Sequence, residues 1–224
     1  MRVLEIFDSL QGEGVWSGTP MTFVRLAGCN APSLGLACVH WCDTTESWDP
    51  LGGGDLTVAE VAMQVRLRRV CVTGGEPLAQ AADVASLVEL LHERGVRVHL
   101  ETNGTLPPQF AAVGVPLCDP APGVGAVGRD DDRAPDWVVV SPKPPLYRVA
   151  PEWAGRVDEL KFVVDDAFAP SCAEDLARRH PRAVVCLQPE AGEGEAGMRR
   201  ASAAVLAHPE WRLSLQVHKM LGLR

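Results

Sequence analysis

Seven short apolar runs recur along the chain, and they constrain the fold more than any other feature of the sequence. Each run has about the length of a strand, is rich in valine or leucine, and ends at Gly, Pro or polar residues, a pattern typical of buried β-strands. The runs occupy residues 21–28, 68–75, 95–104, 136–143, 158–166, 182–190 and 211–219. We therefore expect a sheet built from these seven strands.

Helical patterns separate several of the runs. Thr57 and Glu60 have the spacing of a capping box, in which each side chain satisfies a free backbone N–H at the start of a helix. Residues 82–94 carry apolar positions on one helical face and stop at Gly95, and residues 171–180 and 196–207 favour two further helices. Strands that alternate with helices predict an α/β fold with a mostly parallel sheet.

Two connections lack a helical pattern. Residues 105–135 are rich in proline and glycine, and residues 142–157 are also rich in proline. Loops therefore replace several crossover helices, and we expect an incomplete, modified TIM-like barrel. No repeat or interdomain linker stands out, so residues 1–224 are expected to form a single domain.

Polar motifs follow six of the seven runs. They are Cys29, Thr73–Pro77, Glu101–Gly104, Ser141–Lys143, Gln188–Glu190 and His218–Lys219. In parallel α/β folds the carboxyl ends of the strands share one face, and ligands bind there. The sequence thus predicts one large site at that face.

Composition excludes several classes of function. The formal net charge of −8 argues against a general nucleic-acid surface, which needs clustered lysine and arginine. No apolar stretch approaches the roughly 18 residues that span a bilayer, and residues 1–14 lack the apolar run of a signal peptide. A cytoplasmic protein without membrane partners is the simplest expectation.

The chain has seven cysteines, an odd number that does not suit a complete disulfide framework. Four of them, Cys71, Cys118, Cys172 and Cys186, fit ordinary burial. The remaining three share one loop with His40, and a zinc site made of these four side chains is one interpretation. A [4Fe–4S] cluster held by only three thiolates is the other, and it would leave one iron open to an external ligand. The three loop cysteines are Cys29, Cys38 and Cys42.

The motif Gly74-Gly75-Glu76-Pro77 follows a strand, where two glycines let the backbone approach a ligand closely. Together with the three-cysteine loop it resembles the radical S-adenosylmethionine (SAM) superfamily. The segments DSLQGEG, FVRLAGCN, CDT, CVTGGEP, ETNGT, SPK, LKFVV, LQPE and RLSLQVHKMLG resemble the 7-carboxy-7-deazaguanine synthases in particular. The resemblance extends from residue 8 almost to residue 224. One departure is the spacing C-x8-C-x3-C, where the superfamily usually has C-x3-C-x2-C.

The resemblance implies a mechanism and a set of cofactor ligands. The three cysteines bind a [4Fe–4S] cluster, SAM chelates the fourth iron, and reduction cleaves SAM to methionine and a 5′-deoxyadenosyl radical, so no side chain is assigned as acid or base. The residues that correspond to the SAM site are Trp41, Asp43, Gly75, Glu76, Ser141, Lys143 and Gln188. The similar enzymes also use Mg²⁺, which the resemblance places on Thr44.

The similar enzymes convert 6-carboxy-5,6,7,8-tetrahydropterin to 7-carboxy-7-deazaguanine with loss of ammonia. Arg25 offers a fork of donors suited to the carboxylate of such a substrate. The loop QGEG supplies both donors and acceptors for the pterin edge, while Glu101 and His218 are expected to face the same cavity without an assigned step. The expected substrate residues are Leu10, Gln11, Gly12, Glu13, Arg25, Thr73 and Arg224.

Two other functions remain open at this point. A glycyl-radical-enzyme activase shares the cysteine loop and GGEP but leaves QGEG and Arg25 without a purpose. A zinc- or SAM-binding module without turnover would need only the loop. The resemblance also implies a homodimer and an electron donor such as flavodoxin or ferredoxin.

Overall fold

The computed structural model describes residues 1–110 and 134–224. The strands are β1 (Arg2–Leu10), β2 (Pro20–Leu26), β3 (Gly54–Asp55), β4 (Arg69–Gly74), β5 (Arg97–Thr102), β6 (Trp137–Val140), β7 (Glu159–Val164), β8 (Val184–Pro189) and β9 (Arg212–Leu213). The helices are α1 (Ala31–Leu34), α2 (Val58–Gln64), α3 (Ala81–Glu93), α4 (Pro170–Arg179), α5 (Gly194–Ala207) and α6 (Val217–Met220). Short 3-10 turns lie at Ala37–His40, Thr45–Ser47, Pro77–Gln80, Pro151–Trp153 and Ala191–Glu193.

All nine strands form one sheet in the order β3-β1-β2-β4-β5-β6-β7-β8-β9. The pairings from β2 through β9 are parallel, and β1 is antiparallel to both of its neighbours. Each parallel strand lies beside the next one along the chain, which is the order of a barrel and not of a doubly wound sheet. The sheet does not close within the described residues, so the incomplete TIM-like barrel is confirmed.

Alternation along the parallel strands separates the structural core from the functional face, because successive side chains in a strand point to opposite sides. On the outer side, valine, leucine and phenylalanine pack against the helices, and each fully buried one contributes about 1.5–3 kcal/mol. These buried residues include Val70, Val72, Val98, Leu100, Leu160, Phe162, Val185 and Leu187. The intervening residues face the concave side, where a smaller apolar cluster of Trp16, Met21, Phe23, Cys71, Trp137 and Val139 forms the floor.

The four helices expected from the sequence are all present. Thr57 Oγ1 accepts a hydrogen bond from the N–H of Glu60, and the Glu60 carboxylate accepts one from the N–H of Thr57, so the capping box of α2 is complete. Helix α3 ends before Gly95, which adopts a left-handed conformation with φ of +70°. The β6–β7 connection contains only a 3-10 turn, as expected for residues 142–157. Most of the other proline-rich connection, with Cys118, lies outside the described residues.

Three features differ from the expectations. Strand β1 was not assigned from the sequence because charged residues interrupt its apolar positions, yet it pairs with β2 along almost its whole length. The short strand β3 was also missed. The strand expected over 211–219 is wrong beyond Leu213: the chain turns, and Val217 begins α6 and donates its N–H to the carbonyl of Gly12 at 2.9 Å.

In the part of the chain that the structure describes, no helix has the length and apolar character needed to cross a membrane.

Candidate active site

A cavity of about 450 Å³ opens at the carboxyl ends of the parallel strands. Every residue that the sequence analysis assigned to a cofactor or substrate lines this cavity except Glu76. Glu101 and His218 also line it, as expected. The motifs are spread over more than 200 residues of sequence, so it is the parallel sheet that brings them together.

The cysteine loop leaves β2 and crosses the mouth of the cavity. The eight residues between Cys29 and Cys38 form α1, a left-handed Gly35 and the start of a 3-10 turn, so the unusual first gap is folded and not an open loop. The same turn carries the chain from Cys38 towards Cys42. All three thiols are free and line the cavity.

The surroundings of these thiols bear on which metal group they could hold. Burial raises the pKa of Cys29 and Cys38, and the neighbouring thiols add to this, whereas the N–H of Ala31 stabilises the sulfur of Cys29 at 3.5 Å. His40 is exposed and does not line the cavity. No group of three or more His, Cys, Asp or Glu side chains among residues 1–110 and 134–224 is arranged to hold a metal ion. A zinc site of the expected kind needs His40 as its fourth ligand, whereas a [4Fe–4S] cluster can take one thiolate on each of three irons, so the three thiols that line the cavity fit the cluster better.

The two glycines of GGEP are required by the fold itself. A Cβ on Gly75 would lie 2.3 Å from the carbonyl oxygen of Gly28 and 2.7 Å from that of Ser47, and a Cβ on Gly74 would lie 2.2 Å from the carbonyl oxygen of Leu26. Contacts this short do not occur, so side chains are excluded here. The glycines therefore bring the end of β4 directly against the backbone that leads into Cys29.

Glu76 lies beneath the cavity and does not line it. Its buried carboxylate accepts hydrogen bonds from Thr102 Oγ1 at 2.7 Å, from the N–H of Asn103 at 2.8 Å and from the N–H of Leu78 at 3.0 Å. The carboxylate thus joins the loop after β4 to the end of β5. Its acceptor capacity is largely used within the protein, which argues for an ordering role instead of direct contact with a cofactor.

Lys143 and Trp41 form one wall of the cavity. The Lys143 ammonium lies 5.4 Å from the centroid of the Trp41 ring and 2.7 Å from the hydroxyl of Ser141. Burial lowers the pKa of Lys143. The indole N–H of Trp41 is buried and has no hydrogen-bond partner within the described residues. A buried donor without a partner is costly, so this wall is suited to a polar ligand.

Asp43 and Thr44 provide oxygen atoms at the rim, with Thr44 Oγ1 3.0 Å from a carboxylate oxygen of Asp43. Burial would raise the pKa of Asp43, but its ion pair with Lys219 outweighs this and lowers it. Gln216 also donates to Asp43 at 3.4 Å. Neighbouring oxygen donors of this kind suit a hard cation such as Mg²⁺, which binds few protein ligands and retains water.

Arg25 also lines the cavity, on β2 beside Thr73 of β4. Its Nε donates to Glu5 Oε1 at 2.8 Å, which leaves the two terminal nitrogens of the guanidinium to point elsewhere. Arg224 forms an ion pair with the other oxygen of Glu5. Both guanidinium groups lie over Phe7, at 6.0 Å and 5.2 Å from its centroid. Both guanidinium groups thus pair with Glu5, and the terminal nitrogens of Arg25 remain suited to an anionic ligand group.

The QGEG loop is held from both sides. A Cβ on Gly12 would lie 1.8 Å from the ring of His218, and a Cβ on Gly14 would lie 2.1 Å from Glu159. Gly14 also has a φ of +64° and donates its N–H to Ser214 at 2.8 Å. Glycine is needed at both positions, and this packing presents the side chains of Gln11 and Glu13 to the cavity.

Residues that the sequence analysis did not assign complete this part of the site. Lys161, on β7, forms an ion pair with Glu13 and approaches Glu101 to 3.7 Å. Gln216, in the segment expected to be a strand, donates to Glu13 at 2.7 Å. The signal for Lys161 was a charged residue inside the apolar run LKFVV, where an unpaired charge would be costly.

The open parallel sheet, the three-cysteine loop at its carboxyl face and the adjoining glycine loop together define an enzyme of the radical SAM class. No general protein-family model matches the sequence. The chain is 35% identical to a 7-carboxy-7-deazaguanine synthase from Synechocystis sp. over 99% of its length and 93% of the relative. It is 36% identical to the synthase of Bordetella pertussis, covering 99% and 98% of the two chains. The chain belongs to the 7-carboxy-7-deazaguanine synthase family.

A solved structure agrees with this assignment. The crystal structure of QueE from Escherichia coli superposes with a TM-score of 0.69 and 27% sequence identity, over 96% of this chain and 93% of that one. A third relative, the synthase of Methanospirillum hungatei, is 36% identical over the full chain and 86% of its own length. The similarity therefore extends over the sheet and all the segments that line the cavity.

Proposed function

We propose that this protein is a radical SAM carbon–nitrogen lyase that converts 6-carboxy-5,6,7,8-tetrahydropterin to 7-carboxy-7-deazaguanine and ammonia, in queuosine and other 7-deazapurine biosynthesis. The observation that carries the proposal is that one cavity is lined by three free cysteines, by Arg25, whose side chain is 21% exposed, and by Gln11 and Glu13 of the QGEG loop. An activase that acts on a protein would leave Arg25 and the polar groups of the QGEG loop without a purpose.

The chain's own residues divide the cavity into two ends. Cys29, Cys38 and Cys42 would hold a [4Fe–4S] cluster, and the wall of Trp41 and Lys143 would receive SAM beside it. When bound, these two groups supply a radical that can take a hydrogen atom from carbon. Gly74 and Gly75 also line the cavity. The N–H groups of Gly75 and Glu76 already donate to the carbonyls of Leu26 and Gly28, so backbone carbonyls of this loop would receive the amino group of SAM.

The protein residues of the other end bind and orient the pterin. Arg25 would bind the 6-carboxylate through its two free guanidinium nitrogens, a charge-assisted and bidentate arrangement. Glu13, Gln11 and Thr73 would pair with the amide and amino groups of the ring, and Leu10 and Gly12 would add backbone contacts. Arg224 closes this end, since its backbone carbonyl accepts from Ser9 at 2.8 Å.

Three groups line the SAM end or the rim beside it. Ser141, Gln188 and Asp43 are proposed to contact SAM, with Asp43 and Thr44 also positioned for Mg²⁺. Glu76 is proposed to hold the loop after β4 against the end of β5 without touching the cofactor. The family resemblance further supports a single radical SAM domain, a homodimer, a cytoplasmic location and a flavodoxin- or ferredoxin-like electron donor.

One experiment tests the proposal against its alternatives. The protein is reconstituted anaerobically with iron and sulfide, reduced, and supplied with SAM, Mg²⁺ and the carboxylated tetrahydropterin. We expect release of 7-carboxy-7-deazaguanine, detected by mass spectrometry. Cleavage of SAM without turnover of the pterin would favour an activase, and a colourless zinc-loaded protein that leaves SAM intact would favour a module without catalysis.

A further inference from the structure

Lys161 is buried at the centre of the substrate end of the cavity, and neither its position nor its partners are explained by cofactor binding. It projects from β7 on the concave side of the sheet and is 7% exposed. Its ammonium forms an ion pair with Glu13 and lies 3.7 Å from Glu101. Glu159, on the same strand and the same face, lies below it.

The two carboxylates beside Lys161 keep spare capacity for hydrogen bonds. An ionised carboxylate accepts about four. Glu13 accepts from Lys161, from Gln188 at 3.2 Å and from Gln216 at 2.7 Å. Glu101 interacts with Lys161, with Gln11 at 3.1 Å and with Thr73 at 3.1 Å. About one acceptor position therefore remains on each carboxylate, and both residues line the cavity.

We propose that Lys161 is a positioning residue of the substrate end: its ammonium fixes Glu13 and Glu101 side by side as paired acceptors for the N–H groups of the heterocycle. The inference rests on the proposed function, because the pterin edge supplies those N–H groups. Lys161 itself forms ion pairs with the two carboxylates, and it affects the substrate only by holding them in place.

The electrostatics of the cluster support this assignment. Burial alone would raise the pKa of Glu13, but Lys161 outweighs it and holds that pKa at about 2. Burial would lower the pKa of Lys161, yet Glu101 and Glu13 raise it above its usual range. Without the ammonium, like charges would face each other in a poorly solvated pocket, and a proton would be taken up.

Other charged groups face the same cluster and set the background for any pH dependence. His218 contacts the glycine beside Glu13 and lowers the pKa of that carboxyl further. Lys143, just after β6, interacts electrostatically with Lys161 and Glu13. Cys71, on β4, is buried near Glu101 and Lys161, and burial raises its pKa well above the usual value. Burial also raises the pKa of Glu159. None of these groups contacts both acceptors as Lys161 does.

The test compares Lys161→Met with a double variant, Lys161→Met/Glu13→Gln, and with the surface control Arg199→Met. The guanidinium of Arg199 pairs with Glu195 at 2.9 Å on the exposed side of α5. Each reconstituted protein is titrated anaerobically with the carboxylated tetrahydropterin at a series of pH values. Iron content, visible absorption and thermal unfolding are measured in parallel, and turnover is measured for the unaltered protein.

We expect Lys161→Met to keep its cluster and to bind the pterin at least about tenfold more weakly near neutral pH, because one partner of a buried charge pair is lost. Its affinity should recover as pH rises, since deprotonation restores the acceptors, whereas the unaltered protein should show no such dependence. The double variant should lose this pH dependence, because an amide does not titrate. Arg199→Met should match the unaltered protein.

Unchanged affinity in Lys161→Met with a flat pH profile would overturn the inference. So would loss of the cluster or of folding in both Lys161 variants, since that result defines a structural ion pair. If the unaltered protein neither binds nor converts the pterin, the proposed function fails instead, and the two failures are thereby distinguished.

Discussion

Replacement of Arg25 by alanine should weaken binding of the carboxylated pterin while the cluster stays intact. The Nε of Arg25 donates to Glu5 at 2.8 Å, and the two terminal nitrogens of its guanidinium can donate to a ligand. Charge-assisted hydrogen bonds of this kind contribute about 1.5–3 kcal/mol, which corresponds to roughly a 10- to 150-fold increase in the dissociation constant at 1.4 kcal/mol per factor of ten.

The neighbouring groups shift this expectation towards its lower end. Arg224 pairs with the same Glu5 and lies over the same Phe7 ring, 5.2 Å from its centroid. After loss of Arg25 it remains close enough to attract an anionic group, so we expect about a 10- to 30-fold loss of affinity. The affinity of Arg25→Lys for the pterin should lie between those of Arg25→Ala and the unaltered protein, since lysine keeps the charge but loses the paired donors of the guanidinium.

The assay is anaerobic equilibrium titration of the reconstituted protein, with iron content as the control for the cluster. A tetrahydropterin without the 6-carboxylate serves as a second ligand, and it should bind Arg25→Ala and the unaltered protein with equal affinity. Equal loss for both ligands, or a loss of iron in Arg25→Ala, would refute the assignment, because Arg25 would then support the structure of the site and not the carboxylate.

Three further predictions concern the scaffold. Gly75→Ala should reduce cluster incorporation, measured as iron per chain, because its Cβ would lie 2.3 Å from the backbone before the first cysteine, whereas Gly54→Ala, with nothing within 4 Å, should have no such effect. Glu76→Ala should lower the free energy of unfolding in urea by about 1–3 kcal/mol for each unpaired donor that it leaves, including the N–H of Asn103; an unchanged midpoint would contradict this. Burial holds the pKa of His99 at about 3 in the folded protein, against 6.5 in the unfolded chain. Below pH 6.5 the unfolded state therefore binds one more proton at this residue than the folded state does. As the pH falls from 6.5 to about 3, the free energy of unfolding should decrease by about 1.4 kcal/mol per pH unit. His99→Phe should remove that share of the acid sensitivity, and an identical pH profile in the variant would show that other groups cause it.

The predictions from sequence succeeded where a local pattern carries the information. Valine- and leucine-rich runs gave the parallel strands, and the Thr57–Glu60 capping box marked the start of α2. The two-residue period along those strands also decides which side chains face the helices and which face the cavity. The polar residues that follow six of the seven runs could therefore be placed at one face before any contact was known.

The failures came where the controlling contact lies far away in the sequence. Strand β1 is only partly buried and is held by pairing with β2, a contact that its own charged residues do not reveal. Residues 214–219 were expected to extend a strand, but Ser214 and Val217 bind the QGEG loop some 200 residues earlier, and the chain turns into α6. Local propensity was overridden by these distant hydrogen bonds.

The same division applies to the site. The sequence alone pointed to the cysteine triad, the glycine loop and Arg25 as candidate site residues, because their residue types suit the proposed chemistry and they lie at or just after the ends of predicted strands. The tertiary structure alone placed Glu76 beneath the cavity and joined Glu13 to Lys161 across 148 residues. A buried ammonium must have its counter-charges nearby, since desolvation is otherwise too costly, but only the folded sheet decides which carboxylates supply them.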